Sequence, residues 1–459
     1  MKDRIESIRI SGLYGARDYL IKFDNNKLIL IGENGSGKTT IARIIFAALS
    51  CNWDLLRTYP FTSIQINFQA NKSIEVSTSM IDKVFSTPDL DRIEVFYDNR
   101  HYRRAYESII SSILEAKEQY ENTGKITYTR NSRIPVPYEY FSNIIKNPNV
   151  TALYNATKTL RALFQYKILY LPTYRRIEEP LRNIFPDVEK ETLEKRRRRN
   201  TTERVIELVE FGMDDVTELV EQELNSLKLY SQSQQNKLTL GYLSEIVSKS
   251  YDQSSSYREI RSLNDKQIDQ VLSRIDSSIL TEKRKEELRS ILNNVRTEHK
   301  HSYSAQVKIV CHYFMQLLKF DQEINKAEQR IQDFTDKCNN YLVNNQLKYY
   351  SQDFSCRLYN CINDKYVEDN EIQFQNLSSG EKQIVSLFSH IYLRKDDDFF
   401  VFIDEPELSL SVEWQRMLLP DIVSSSNCKG LFATTHSPFI FDNDLEKVVH
   451  GINEFCVKG

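Results

Sequence analysis

Gly32-Glu33-Asn34-Gly35-Ser36-Gly37-Lys38-Thr39 fits the pattern G-x-x-x-x-G-K-[ST], and its flanks fit the same structural context. Lys27-Leu28-Ile29-Leu30-Ile31 predicts a short buried strand, and residues 40–49 predict a helix with an almost wholly apolar surface. A strand, a glycine-rich turn and a helix N-terminus in that order make an anion site. Glycines let backbone N–H groups close on phosphate oxygens, and the helix dipole favours negative charge there. Asn34, Gly35, Ser36, Gly37, Lys38, Thr39 and Thr40 are therefore the expected phosphate-binding set. Within it Lys38 would reach the β- and γ-phosphates of a nucleotide, and the Thr39 hydroxyl would ligate Mg²⁺. The expected fold class is α/β.

A chain of 459 residues can hold two or three domains with sizeable cores. Its net charge of −3 shows no basic excess, so nucleic-acid contact is possible only through a local patch and is not indicated by net charge. Seven cysteines are scattered without C-x-x-C spacing or a Cys/His cluster, which predicts reduced thiols and no zinc site. The charged start Met1-Lys2-Asp3-Arg4-Ile5-Glu6 lacks the apolar core of a signal peptide. With no uncharged apolar run long enough to span a bilayer, the expectation is a soluble cytoplasmic protein without membrane partners.

Residues 5–10 and 19–23 predict paired strands around a glycine-rich turn at 11–15 that carries an exposed Tyr14. Residues 61–68 and 73–77 predict a second hairpin, and Lys167-Ile168-Leu169-Tyr170-Leu171 another buried strand stopped by Pro172. Residues 102–165 read as mixed helix and loop. From about 188 to 346 the pattern is helical and polar. There Leu317, Ile324, Ile331 and Cys338 repeat every seven residues, as do Phe320, Ala327, Phe334 and Tyr341. Such a seam fits a coiled coil or long helical hairpin, and an ordinary helical bundle would carry it as well. Lys195-Arg196-Arg197-Arg198-Arg199 is the strong basic run. Without interleaved aromatics and with Glu191, Glu194 and Glu203 nearby, a solvated loop or helix end accounts for it better than a nucleic-acid contact.

Three downstream segments complete the chemistry. Leu377-Ser378-Ser379-Gly380-Glu381 opens a helix, making a second anion-binding terminus at Ser378, Ser379, Gly380 and Glu381. The apolar run Phe399-Phe400-Val401-Phe402-Ile403 leads into Asp404-Glu405-Pro406-Glu407. Adjacent carboxylates at a buried strand end are costly unless a cation or water uses them. Asp404 fits a Mg²⁺ ligand and Glu405 the base that polarises an attacking water. Residues 430–435 predict a strand ending at His436, placed to sense the γ-phosphate and hold that water.

The order of phosphate loop, L-S-S-G-E, D-E-P-E and T-T-H-S-P resembles the ABC-type ATPase heads, nearest the branch with SMC heads, RecF and the OLD family. Within that branch, Asp404 to Ser411 with Trp414-Gln415, and Tyr170-Leu171-Pro172-Thr173-Tyr174-Arg175-Arg176, are similar to ATPase subunits of the anti-phage systems PARIS and Septu. The resemblance implies an ABC-type head, a mixed β-sheet flanked by helices, with an inserted helical or coiled-coil domain. It divides the chain into residues 1–186, 187–346 and 347–459. It implies ATP and Mg²⁺, catalytic Glu405, His436 and Lys38, and metal-ligating Thr39 and Asp404. In that geometry residues 378–381 of one head meet the loop of another, so a homodimer or higher homo-oligomer bridged by ATP is expected. Ser379 and Glu381 follow the SMC and OLD variant, whereas Ser411 replaces the histidine many OLD relatives carry. The Q-loop residue has candidates in Gln65, Gln69, Arg175 and Arg176. Only 437–459 follow the switch histidine and the insertion shows no H-N-H or D-x-D set, so a nuclease effector, Toprim-like or HNH, is expected in trans, released by a phage-encoded trigger. The alternative is a DNA-repair or chromosome-maintenance ATPase of the RecF or SMC kind.

Overall fold

The computed structural model describes residues 4–33, 35–85, 109–125, 143–171, 204–207, 213–249, 251, 256–275, 280–298, 303–362, 365–395, 397–408 and 410–457. Asn34, Arg175, Arg176, Ser409 and the basic run 195–199 lie outside the described residues. The fold is mixed α/β, with sheets flanked by helices, and its contacts divide into two compact units. Residues 1–212 and 395–459 form one, and residues 213–394 form the other.

The first unit holds two sheets. Strands β1 (Ile5–Leu13), β2 (Arg17–Lys22), β4 (Ser63–Phe68), β5 (Lys72–Ser77) and β14 (Cys456–Val457) pair antiparallel in the order β14-β2-β1-β4-β5. Their alternating burial, strict in β4, is that of a sheet with one covered face. Strands β3 (Lys27–Ile31), β6 (Lys167–Leu171), β7 (Val205–Glu207), β11 (Phe399–Asp404), β12 (Cys428–Thr435) and β13 (Val449–Gly451) pair parallel in the order β13-β3-β12-β11-β6-β7. All six residues of β11 are buried, the signature of a parallel strand covered on both faces. The helix Lys38–Leu49 lies on this sheet, where Phe46 stacks on Tyr170 with ring centroids 4.4 Å apart and meets Phe402 edge-on. Gly430 has no room for a side chain, since a Cβ there would sit 2.4 Å from the Phe400 ring.

One expected turn moves. Residues 11–13 are not turn but the end of β1, which bulges between Ile10 and Leu13. The bulge puts Gly12 at φ +65, with Thr62 Oγ1 where its Cβ would be, so that glycine serves the bulge and close approach. The turn proper starts at Tyr14, which is 65% exposed.

The second unit contains two long helices, Asp214–Val247 and Ala305–Asn339, several shorter ones, and the helix Ser379–Leu393. It also holds a three-stranded antiparallel sheet of β8 (Asn345–Tyr350), β9 (Ser355–Ile362) and β10 (Lys365–Ile372). Ile324, Ile331 and Cys338 of the heptad pattern are buried on the helix Ala305–Asn339, with Phe334; Leu317, Phe320 and Ala327 are half-buried. The same buried face carries Asp321 and Glu328, both ion-paired with Arg274 at 2.6 and 2.7 Å. No helix among the described residues is long and apolar enough to cross a membrane.

Candidate functional site

In the parallel sheet, Ile31 of β3 stands opposite Thr435 of β12, and Thr434 opposite Asp404 of β11. The carboxyl ends of these neighbouring strands are therefore level, and their loops leave from one edge, the usual place for a ligand on such a sheet.

From β3 the chain enters the phosphate loop. Gly32 is tightly placed, since a Cβ would lie 2.8 Å from Ser36 Oγ and 3.1 Å from Ile452 and would turn the serine hydroxyl away. Gly35 and Gly37 take φ +77 and +96, conformations that side chains other than glycine's rarely allow. Gly37 is also the N-cap of the helix Lys38–Leu49 and offers no side chain to its first N–H groups. Ser36 Oγ is buried without a hydrogen-bond partner. A buried orphan hydroxyl and uncapped amides at one helix start are donors suited to an anion. Thr39 and Thr40, in the first turn, are half-buried.

Lys38 is only 4% exposed. Its Nζ donates to Gly32 O at 2.8 Å and Glu33 O at 3.1 Å, and lies 2.8 Å from His436 Nε2. An ammonium has no acceptor, so Nε2 of His436 accepts from a charged Lys38, and its approach to Glu405 is then a hydrogen bond only while the Glu405 carboxyl holds its proton. Burial holds the Lys38 pKa below its ordinary value, against the pull of Glu405, Asp404 and Glu407.

Asp404 ends β11 at 2% exposure, and the Thr434 hydroxyl donates to its Oδ1. Glu405 follows at φ +54, a left-handed conformation that is unusual for a glutamate and of the kind that gathers at functional sites. Its Oε1 lies 3.3 Å from His436 Nε2. Burial first, then the hydrogen bond and charge of Glu407 and the charge of Asp404, push the Glu405 carboxyl up to about 7, while Lys38 opposes the shift. Lys38, His436 and Glu405 thus form one line of contacts across the strand ends, with Asp404 beside Glu405. A cavity of about 480 Å³ opens next to the loop, lined by Gly32, Glu33, Ser36, His436, Phe441 and Asn453 among others.

No cluster of three or more His, Cys, Asp or Glu among the described residues could hold a metal ion by itself. Mg²⁺ does not require one, since it is usually held by one or two carboxylates with phosphate oxygens and water. The hard oxygens of Thr39 and Asp404 fit that chemistry, and the orphaned Ser36 hydroxyl fits a phosphate oxygen.

In the second unit, residues 378–381 start the helix Ser379–Leu393. Ser378 and Ser379 are exposed, while Gly380 and Glu381 are buried. Glu381 turns back on its own helix: Oε2 accepts from Ser378 N at 2.9 Å and Ser378 Oγ at 2.7 Å, and Oε1 accepts from Asn345 Nδ2 at 3.2 Å. This is a capping box that engages the exposed Ser378 hydroxyl as well, and the exposed Ser379 takes no part in it. Gln65 sits mid-strand in β4 opposite Arg9, and Gln69 at the following turn donates its N–H to Arg4 O. Neither lines the cavity. Sequence reasoning gave no role to Glu407 or Gln415, both of which hold the segment around His436. The second glutamate of D-E-P-E was the visible signal.

The family model AAA_15, AAA ATPase domain, matches residues 1–441. No curated protein matches the chain. Among solved structures, an Smc head domain with an extended coiled coil, bound to the C-terminal domain of ScpA and derived from Pyrococcus furiosus, is similar at 12% identity. The alignment covers 98% of this chain and 93% of that one, with a TM-score of 0.35. An Smc head bound to the C-winged helix domain of ScpA is similar at 10% identity over 98% and 93% of the two chains, TM-score 0.35. An Smc head domain with a coiled coil and joint from Pyrococcus yayanosii is similar at 14% identity over 98% and 95%, TM-score 0.29.

Proposed function

This chain belongs to the AAA_15 family of AAA ATPase domains, and from that premise we propose that it binds ATP at the Lys38 loop and hydrolyses it. The observation that carries the reading is the contact line Lys38–His436–Glu405, at 2.8 and 3.3 Å, across the ends of three neighbouring strands. The loop amides and Lys38 cradle the phosphates. Glu405 accepts a proton from the attacking water as its oxygen bonds to the γ-phosphorus and the bond to the β-phosphate oxygen breaks, leaving ADP and phosphate. His436 holds the water and the γ-phosphate in line. Thr39 and Asp404 would hold Mg²⁺, which would offset charge on the phosphate oxygens.

The test is ATP turnover and nucleotide binding by the full chain. Lys38→Ala is expected to weaken nucleotide binding. Glu405→Gln is expected to bind ATP yet turn it over at least about 100-fold more slowly, the usual weight of a positioned general base. Turnover at the wild-type rate in Glu405→Gln would remove the catalytic assignment.

The motif order further supports an ATP-bridged pair of chains, in which Ser378 and Ser379 of one face the loop of the other. The similarity of residues 404–415 to PARIS and Septu ATPase subunits supports a cytoplasmic defence ATPase that oligomerises and restrains a separate nuclease until infection. Co-purification with a Toprim-like or HNH nuclease encoded beside it is the expected result. Hydrolysis stimulated by DNA and weakened by salt would point to the DNA-maintenance reading instead.

A further inference from the structure

Besides raising the Glu405 carboxyl, Glu407 takes three hydrogen bonds on its own carboxylate from the loop after β12. Oε1 accepts from the backbone N–H of His436 at 2.8 Å and of Ser437 at 3.1 Å, and Oε2 accepts from the Thr435 hydroxyl at 2.8 Å. The parallel ladder between β11 and β12 ends at Asp404 opposite Thr434. Just beyond it, two consecutive amides need acceptors that no strand supplies: His436 N–H finds Glu407, and Ser437 N–H is shared between Glu407 and Thr435 Oγ1 at 2.9 Å. The left-handed turn at Glu405 brings Glu407 to them, and that turn is closed by Leu408 N donating to Glu405 O and Leu410 N to Glu407 O. Gln415, on the helix Val412–Ser424, adds a second tie. Its Oε1 accepts from Ser437 Oγ at 2.6 Å, and its Nε2 donates to Leu410 O at 3.0 Å.

We infer that Glu407 is a positioning residue which, with Gln415, clasps residues 435–437 to the end of β11 and so fixes His436 against Glu405 and Lys38. His436 touches both partners through the single atom Nε2. A backbone shift of one ångström at residue 436 would therefore lose one contact or both. A carboxylate suits the task because ionised acceptors make shorter and stronger bonds to N–H than neutral ones. An amide in its place keeps one oxygen for the two N–H groups, whereas alanine keeps none.

The inference rests on the ATPase reading of the site, so its test has one readout that needs no turnover. Full-length wild type, Glu407→Gln and Glu407→Ala are compared for kcat, for the Kd of a fluorescent ATP analogue, and for amide hydrogen exchange across residues 434–440. Glu407→Ala should lose about 100-fold in kcat with Kd within about threefold, because misplacement spoils the transition state more than binding. Its exchange at 436–437 should rise, and Glu407→Gln should recover kcat to within about tenfold of wild type. Unchanged exchange, an equal loss in kcat for Gln and Ala, or a Kd that weakens as far as kcat each overturns the clasp. A wild-type chain without turnover overturns the ATPase reading alone, since the exchange result still decides the clasp.

Discussion

At the residue scale, Glu405 bears two costs: φ +54 and a carboxyl pushed up to about 7. The second follows from burial first and then from Glu407 and Asp404 close by, and it gives the site a pH signature. A base works only when unprotonated. With its pKa raised from 4.5 to about 7, Glu405 is mostly ionised at pH 8 and mostly protonated at pH 6. The expected outcome is a fall in kcat/KM of about tenfold from pH 8 to pH 6, since that ratio reports the groups of the free chain, read from steady-state turnover at ATP well below KM. A profile that stays flat to pH 5.5 would show that Glu405 is not the base. Lys38, Asp404, Glu405 and His436 were picked out because each stands in a contiguous motif, and the structure brings Lys38, His436 and Glu405 into one line of contacts, with Asp404 next to Glu405. Glu407 and Gln415 were visible as residues of D-E-P-E and Trp414-Gln415, but not what they hold, because they act on backbone amides and a serine hydroxyl distant in sequence.

At the element scale, legibility tracked burial. β3, β11 and β12 stand out as apolar runs because both faces of the parallel sheet are covered. β8, with half-exposed polar residues at most positions, has no such run. The helix Ala305–Asn339 shows a subtler limit. Its buried face admits Asp321 and Glu328, residues a hydrophobic pattern assigns to solvent, because Arg274 reaches both. Tyr349 and Asn325 complete the shell, with Tyr349 Oη donating to Glu328 at 3.0 Å and Asn325 Nδ2 to Asp321 at 2.8 Å. Two carboxylates against one guanidinium leave the group short of positive charge. Burial accordingly pushes the Asp321 carboxyl above its ordinary value, even against Arg274. Arg274→Met should cost about 3 kcal/mol of stability, the range for removing one partner of a buried pair. Chemical denaturation at pH 7.5 checks this, and the loss should shrink towards pH 5 as the orphaned carboxyls take up protons. A loss below about 0.5 kcal/mol would class the pairing with ordinary surface bridges.

At the scale of the whole molecule, the phosphate loop and residues 378–381 belong to different compact units. The helical periodicity that suggested a boundary near 346 stops where helices stop, whereas compactness follows contacts, and these run on through β8, β9 and the helix Ser379–Leu393 to residue 394. Each unit contains one of the two helix starts that the proposal pairs. The first offers uncapped amides and Lys38, and the second two exposed serines, one of them within the capping box. Under the proposed pairing these are halves of one site contributed by two chains, and that has a consequence for mixtures. Lys38→Ala destroys the loop half and Ser378→Arg blocks the serine half, so either variant alone should be inactive. In a symmetric dimer each chain meets its partner through the same two surfaces, so an equal mixture of the variants should regain about a quarter of wild-type turnover, from the one intact site of each mixed pair. The measurement is ATPase rate against mixing ratio at constant total chain, with a maximum expected at one to one. If one chain completes its own site, the mixture shows no activity at any ratio, and the ATP-bridged pair is ruled out.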